Sequence, residues 1–137
     1  MKRILIYLAI VTLGIAFSSC ENNRDDNGDL GGMWQLTQWT DANGETVATK
    51  YDGMFYCFQL KLMKVRQGGT EYLARFSHQG DELVVTEAFA QPFDTPVELD
   101  QLAAFGVPAD GRMHIDGLSD SHMQLTGSLG TLRFRKY

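Results

Sequence analysis

The chain has 137 residues, of which 44% are hydrophobic and 21% are charged. It carries 12 basic and 17 acidic side chains, a net charge of −5 with neutral histidines. Nucleic acid is excluded as a partner on this ground, because the phosphate backbone attracts basic surfaces. The length is sufficient for one domain with a single hydrophobic core.

The N-terminal segment has the layout of an export signal. Two basic residues precede an uncharged run over residues 4–17, and two serines follow it. The run is too short to be a lasting anchor, because a helix needs about 20 apolar residues to cross a membrane. We therefore expect residues 1–19 to be a signal peptide that is removed.

Cys20 comes directly after the two serines. This arrangement resembles a bacterial lipobox, which implies that the thiol of Cys20 is acylated and that the cysteine becomes the new N-terminus. Two or three acyl chains anchor a protein firmly, since each buried methylene contributes about 0.8 kcal/mol. The resemblance implies a membrane-anchored protein, and an ordinary secreted protein is the alternative. Loss of Lys2 and Arg3 with the leader leaves 10 basic and 17 acidic residues, a net charge of −7.

Residues 20–30 are predicted to form a disordered tether. The stretch 21–29 has four acidic residues, three asparagines and no apolar side chain, so it cannot bury enough surface to become ordered. An acidic stretch after the cysteine also resembles the surface-export signal of Bacteroidetes lipoproteins. This resemblance implies the outer face of the outer membrane, and a spacer facing the periplasm is the alternative.

Residues 31–137 are predicted to be a single β domain. Apart from Cys20 the only cysteine is Cys57, so packing rather than an intramolecular disulfide must stabilise the fold. Apolar and polar residues alternate with period two over most of the domain, which indicates strands. Residues 33–40 form the first predicted strand, with Trp34 and Leu36 on one face, and a turn at Asn43-Gly44 follows.

The middle of the domain is predicted to form three strands. Residues 54–66 are interpreted as one long strand, with a β-bulge near Leu62 where the alternation changes phase. Turns at residues 67–70 and 78–81 then delimit two further strands. Tyr72 and Phe76 are predicted to face inward on the first of these strands, as are Leu83 and Val85 on the second.

One segment is predicted to be helical. Thr95 to Glu98 form a capping box with Pro96 at the first helical position, and Gly106 can end the helix. Leu99, Leu102 and Ala103 would form the apolar stripe. A helix of this length needs packing to be stable, so we expect it to lie across one end of the sheet.

The register of the last hairpin is predicted from the identity of facing residues. If Gly117 pairs with Ser121, apolar residues face each other and Asp116 lies opposite His122. A slip of one residue would mix the two faces. Residues 131–137 form the last predicted strand, with Leu132 and Phe134 inward. The apolar pairs in this register are Met113 with Leu125 and Ile115 with Met123.

The predicted fold is all-β. Seven or eight antiparallel strands follow one another as a meander, with one short helix before the last hairpin. Closure of such a meander removes its exposed edges. We therefore expect a small barrel of about eight strands.

The first and last strands carry the residues of a family resemblance. Gly32-Met33-Trp34 opens the first strand, and Arg133 and Arg135 lie on the last one. This pattern resembles that of the lipocalins, and the whole chain is similar to short lipocalin-like lipoproteins of Bacteroidetes. The resemblance implies that Trp34 closes the base of the barrel and that one of the two arginines packs across its ring.

The resemblance also implies that the barrel carries a small lipophilic ligand. The same inward side chains could instead fill the interior. The protein would then be an interaction or accessory subunit of a cell-envelope complex, with an exposed apolar patch for which Trp39, Phe89 and Phe93 are candidates. The predicted interior residues are Trp34, Leu36, Tyr56, Phe58, Leu60, Tyr72, Phe76, Met113, Ile115, Met123 and Phe134.

No catalytic residue, metal site or cofactor is predicted, so the protein is interpreted as a non-enzyme. His78, His114 and His122 lack the spacing of metal ligands, and His122 with Asp116 is interpreted as a surface ion pair. Cys57 lies between aromatic residues and is predicted to be buried and inert. A hydrolase function has no supporting motif in the sequence.

Overall fold

The protein is an antiparallel β-barrel. The structure is a computed structural model and describes residues 27–137. The predicted signal peptide, Cys20 and most of the predicted tether lie outside the described residues. Between residues 27 and 137 no helix has the length and apolar character required to span a membrane.

Ten strands are present in the described part of the chain, and eight of them form the barrel. The barrel strands follow the order β1, β3, β4, β5, β6, β8, β9 and β10, and β10 pairs with β1 to close the sheet. The strands are β1 (Gly32–Thr40), β2 (Thr46–Ala48), β3 (Met54–Gln59), β4 (Leu62–Gln67), β5 (Thr70–Gln79), β6 (Glu82–Ala90), β7 (Thr95–Val97), β8 (Arg112–Leu118), β9 (His122–Gly127) and β10 (Gly130–Lys136).

The closed antiparallel barrel confirms the predicted fold class. Strands β2 and β7 lie outside the barrel path, where β2 pairs with β1 and β7 pairs with β6. Side chains alternate as the period-two pattern predicts: Tyr56 and Phe58 are buried on β3, and Cys57 between them is only half-buried. Cys57 is thus less buried than predicted, because it lies on the face of β3 opposite these two aromatic residues.

The prediction of one strand over residues 54–66 is wrong. The segment is a hairpin, in which β3 ends at Gln59 and β4 begins at Leu62. The change of phase therefore comes from a two-residue turn rather than from a bulge. Leu60 occupies this turn with a φ of 55° and is 55% exposed. The prediction that Leu60 faces the interior is therefore wrong.

The predicted helix begins later than expected and is a 3₁₀ helix. Thr95–Val97 forms β7, and the helix spans Leu99–Phe105 without a side-chain N-cap. The capping-box prediction is wrong because this segment pairs with β6 instead. The predicted end is confirmed, since Gly106 adopts a left-handed conformation with a φ of 89°. Leu102 and Phe105 are buried in the core.

The predicted register of the last hairpin is also wrong. Ile115 pairs with Leu125 rather than Met123, and a register shift lies between Ile115 and Gly117. The error is two residues at Ile115 and three at Gly117, beyond the shift. An even error leaves Ile115 and its partner on their predicted faces. For this reason Met123 and Leu125 are buried as expected.

The folded domain begins before residue 31. A 3₁₀ turn spans Gly28–Leu30, and Leu30 is fully buried. Asn27 Nδ2 donates a hydrogen bond of 2.7 Å to the Leu60 carbonyl oxygen. The predicted end of the tether at residue 30 is therefore too late.

Candidate functional site in the barrel wall

Trp34 lies near the start of β1 and is buried beneath a lysine. Its side chain is fully buried, and its Nε1 donates a hydrogen bond of 2.8 Å to the Leu30 carbonyl oxygen. Lys136 lies opposite Trp34 in the β1–β10 pairing, with its Nζ 4.3 Å from the centroid of the indole ring. The same Nζ donates hydrogen bonds to the carbonyl oxygens of Asp29 (3.1 Å) and Gly31. The cation thus joins the start of the domain to its last strand.

The residue that packs on Trp34 is Lys136, so the prediction of Arg133 or Arg135 is wrong. Leu132 and Phe134 are buried, and position 136 continues their face of β10. Arg133 and Arg135 lie on the opposite, exposed face. The inward alternation of Leu132 and Phe134 was sufficient to identify Lys136 from the sequence.

Most predicted interior residues are buried. Nine of the eleven are less than 9% exposed, Tyr72 is half-buried and Leu60 is exposed. Their aromatic rings contact each other: Tyr56 lies 4.7 Å from Phe134, and Phe58 lies 5.3 Å from Phe76, between ring centroids. These contacts fill the centre of the barrel with the protein's own side chains.

Tyr56 connects this aromatic cluster to the 3₁₀ helix. Its hydroxyl donates a hydrogen bond of 2.6 Å to the carbonyl oxygen of Phe105. Burial raises the pKa of Tyr56, because the charged phenolate would be desolvated. Tyr56 therefore remains a neutral hydrogen-bond donor that holds the helix against the barrel.

A cleft of about 460 Å³ opens in the barrel wall beside the turn between β8 and β9. Leu118, Met123 and Phe134 supply its apolar surface. Met123 and Phe134 are buried residues of the predicted interior, each 2% exposed. The cleft therefore lies against the edge of the apolar core. Its polar lining consists of Thr37, Ser119, His122, Gln124 and Arg133, and Gly117 completes it.

Two irregularities in the sheet border the cleft. On β1 the register shifts between Leu36 and Gln38, so that Thr37 is displaced from regular pairing with β10. On β8 it shifts between Ile115 and Gly117. Bulges bend a strand and re-aim its side chains, and they are common at barrel rims and next to binding sites. Sequence reasoning missed the cleft because these two shifts are separated by most of the chain.

Polar side chains cluster around Asp116, next to this cleft. Its carboxylate lies 2.8 Å from His114 Nδ1 and accepts hydrogen bonds from Thr126 and, at 3.4 Å, from Gln124. The bond from Thr126, with smaller contributions from His114 and Gln124, holds the pKa of Asp116 below its usual value. The predicted pair of Asp116 with His122 is wrong, because Asp116 lies at the register shift of β8 and bonds to His114, whereas His122 pairs with Arg135 on β10.

Other candidate residues remain apart from this cluster. Trp39 is half-buried and donates a hydrogen bond of 3.0 Å to the Leu129 carbonyl oxygen, and Phe93 is 87% exposed. Phe89 is half-buried on β6. Within residues 27–137, no group of three His, Cys, Asp or Glu side chains is arranged to hold a metal ion.

A closed eight-stranded antiparallel barrel with a buried tryptophan at the start of its first strand is the architecture of a lipocalin-like protein. The sequence profile of the family described as "Lipocalin-like domain" matches residues 15–137, so the chain belongs to this family. The fold is generally a non-enzymatic binding fold.

Solved structures share this fold. A lipocalin-like protein from Bacteroides uniformis is 28% identical, with a TM-score of 0.59, and the match covers 80% of this chain and 99% of that one. An uncharacterized protein from Bacteroides eggerthii is 19% identical, with a TM-score of 0.57 over 79% and 99% of the two chains. A protein from Burkholderia xenovorans is 16% identical, with a TM-score of 0.53 over 87% of each chain. No curated protein matches significantly.

Proposed function

We propose that the protein is a non-enzymatic binding protein that holds a small lipophilic ligand in the cleft of the barrel wall. The observation that carries this proposal is the contact between the cleft and the core residues Met123 and Phe134. Small-molecule sites commonly enclose about 300–1,000 Å³ and combine an apolar lining with a few polar groups. The cleft fits both criteria.

The cleft is a better candidate site than the centre of the barrel. The rings of the central aromatic residues contact one another and are buried. A ligand there would have to displace packed rings, which disrupts a close-packed interior. A ligand in the cleft would lie outside this aromatic cluster, against the partly buried Leu118 and the edges of Met123 and Phe134, and methionine adapts readily to the shape of a ligand.

Gly117→Phe tests this site. Gly117 lines the cleft, and a Cβ built on it meets no atom within 4 Å. We expect the phenyl ring to occupy the cleft and to reduce binding of a fluorescent apolar probe, 1-anilinonaphthalene-8-sulfonate, by about tenfold, equivalent to about 1.4 kcal/mol. Fluorescence titration measures the dissociation constant.

Gly69→Phe is the matched control. Gly69 also has open space around its Cβ and no positive φ, and it lies in the β4–β5 turn outside the cleft lining. This variant should bind the probe like the parent protein. Equal binding by Gly117→Phe and the parent would contradict the site.

An interaction module remains the second candidate function. The packed centre of the barrel favours it, as do the exposures of Tyr51 (93%) and Phe93 (87%). These side chains could contact a protein of the cell envelope. Loss of a co-purifying partner on Phe93→Ser, with the wild-type protein binding no apolar probe, would support this function over the first.

We further propose that Cys20 is lipidated and that the protein is anchored in the outer membrane, facing the cell surface, with the periplasmic face as the alternative. The lipobox-like sequence and the acidic stretch after it support this proposal. Metabolic labelling with an alkyne fatty acid should mark the parent protein and not Cys20→Ser. Label retained by Cys20→Ser would contradict acylation at this residue, and protease treatment of intact cells distinguishes the two faces.

A further inference from the structure

We propose that the turn between β3 and β4 inserts into the headgroup region of the membrane and orients the barrel on it. Leu60, Lys61 and Leu62 make up this segment, here called the Leu60 turn. The inference rests on the proposed lipidation of Cys20 and adds a second contact with the same membrane. It follows from an exposed leucine in a strained conformation, at the point where the chain leads toward Cys20.

Leu60 occupies a position that glycine fills in the two following turns. The hairpins β3–β4, β4–β5 and β5–β6 each turn through two residues, and the first of the two has a positive φ. That residue is Leu60 (55°), Gly68 (58°) and Gly80 (58°), respectively. Glycine is preferred there because a side chain strains a backbone with positive φ. The leucine therefore costs stability, and residues held in such conformations cluster at functional sites.

The Leu60 turn presents apolar side chains to its surroundings. Leu60 is 55% exposed and Leu62 is 39% exposed, and the exposed Lys61 lies between them. The β5–β6 turn holds Gly80 and Asp81 in its two central positions instead. Two leucines around a lysine suit the boundary of a lipid bilayer, because the leucines can enter the apolar region while the ammonium group stays among the headgroups.

The start of the folded domain is held against this turn. Asn27 Nδ2 donates a hydrogen bond of 2.7 Å to the Leu60 carbonyl oxygen. Leu30 is fully buried, and Lys136 Nζ donates a hydrogen bond to the Gly31 carbonyl oxygen. These contacts fix the domain's first residues to the barrel. The chain that leads to Cys20 therefore departs from a point beside the Leu60 turn.

The length of the intervening chain keeps this turn near the bilayer. Asn27 is the seventh residue after Cys20, and seven fully extended residues span at most about 25 Å. A lipid on Cys20 would thus confine the Leu60 turn close to the membrane and raise its effective concentration there. The β4–β5 turn lies at the other end of β4 (Leu62–Gln67), about 20 Å away at roughly 3.3 Å per residue.

Fluorescence quenching on the acylated protein tests the proposal, in phosphatidylcholine vesicles that contain a nitroxide-labelled phosphatidylcholine. A nitrobenzoxadiazole dye is attached at Lys61→Cys, in a Cys57→Ser background that removes the half-buried thiol. Gly69→Cys in the β4–β5 turn carries the dye in the matched control, since its Cβ has open space around it. We expect the nitroxide to quench the dye at position 61, with emission shifted to shorter wavelength. The dye at position 69 should show neither change.

Leu60→Gly separates membrane contact from folding. The substitution removes an apolar side chain and relieves the backbone strain, so the midpoint of thermal unfolding should not fall. Quenching at position 61 should show a ratio of inserted to free turns about tenfold lower, as expected if the bilayer covers the exposed half of one leucine. Val47→Ser is the matched control. Val47 is 59% exposed and lies across from Trp39, near the opposite end of β1, so this variant should retain the quenching.

The outcomes separate this inference from the proposed lipidation. Failure of the parent protein to float with the vesicles would overturn the anchor and the inserted turn together. Flotation without quenching at position 61 would overturn the inserted turn and leave the anchor standing, and it is the result expected if the turn contacts another protein. Equal quenching at positions 61 and 69 would also overturn the inference, because the barrel would then have no preferred orientation. Equal effects of Leu60→Gly and Val47→Ser would overturn the role of Leu60.

Discussion

Replacement of Trp34 with alanine is expected to lower the free energy of unfolding by about 3–5 kcal/mol. The indole is fully buried, and its removal leaves a cavity at the closed end of the barrel. The change also removes the hydrogen bond to the Leu30 carbonyl oxygen and the ring beneath Lys136 Nζ. Urea-induced unfolding followed by circular dichroism measures the loss.

Trp39→Ala is the matched control for this prediction. Trp39 is the other tryptophan of β1, it is half-buried, and it also donates one hydrogen bond to a carbonyl oxygen. Its replacement should destabilise the protein clearly less than that of Trp34. A larger loss for Trp39 would contradict the role of Trp34 in closing the barrel.

The cation over the ring can be separated from the buried ring itself. Lys136→Met keeps the length of the side chain opposite Trp34 without its charge, and Trp34→Leu removes the aromatic ring. A double-mutant cycle with these two substitutions should give a coupling energy of about 0.5–2 kcal/mol. A coupling near zero would mean that Lys136 stabilises the domain only through its hydrogen bonds to Asp29 and Gly31.

The barrel was predictable from the sequence because period-two alternation is a local signal. Each strand shows its buried face without reference to its neighbours, as in Leu132 and Phe134 of β10. Turns were predictable where they contain the usual residues, such as Gly68-Gly69 between β4 and β5. The turn at Leu60 was not, because a leucine with positive φ carries no such signal and only the surrounding fold holds it there.

The candidate site was less predictable than the fold. Trp34 could be identified from its position at the start of the first strand, whereas its partner Lys136 was missed although the alternation on the last strand indicates it. The cleft depends on register shifts in β1 and β8, which the sequence alone does not reveal. Arg133 was assigned to the wrong role although the alternation on β10 places it on the outer face. Its partners Gln38 and Gln124 lie on the neighbouring strands β1 and β9, and the sequence alone did not indicate this pairing.

Gly130→Ala is expected to lower the free energy of unfolding by about 3 kcal/mol. This is the upper end of the energetic cost that a single residue with a strained backbone usually carries. Gly130 begins β10 with a φ of 115°, a conformation that residues with a side chain rarely adopt. A Cβ there would lie inside van der Waals contact with the Thr40 carbonyl oxygen and 2.9 Å from Asp41 Cα. The residue therefore sits where β10 meets β1 and the barrel closes.

Substitutions at two other glycines separate the cost of backbone strain from the cost of the steric clash. Gly44 has a φ of 85° with open space around its Cβ, so Gly44→Ala should cost about 1 kcal/mol from backbone strain alone. Gly69 has neither feature, so Gly69→Ala should stay within about 0.5 kcal/mol of the parent. Chemical unfolding of the three variants should rank Gly130 well above Gly44, because of these three glycines Gly130 alone combines a positive φ with a backbone clash. A loss at Gly130 no greater than at Gly44 would mean that β10 and β1 are less closely packed at the closure of the barrel than the structure has them.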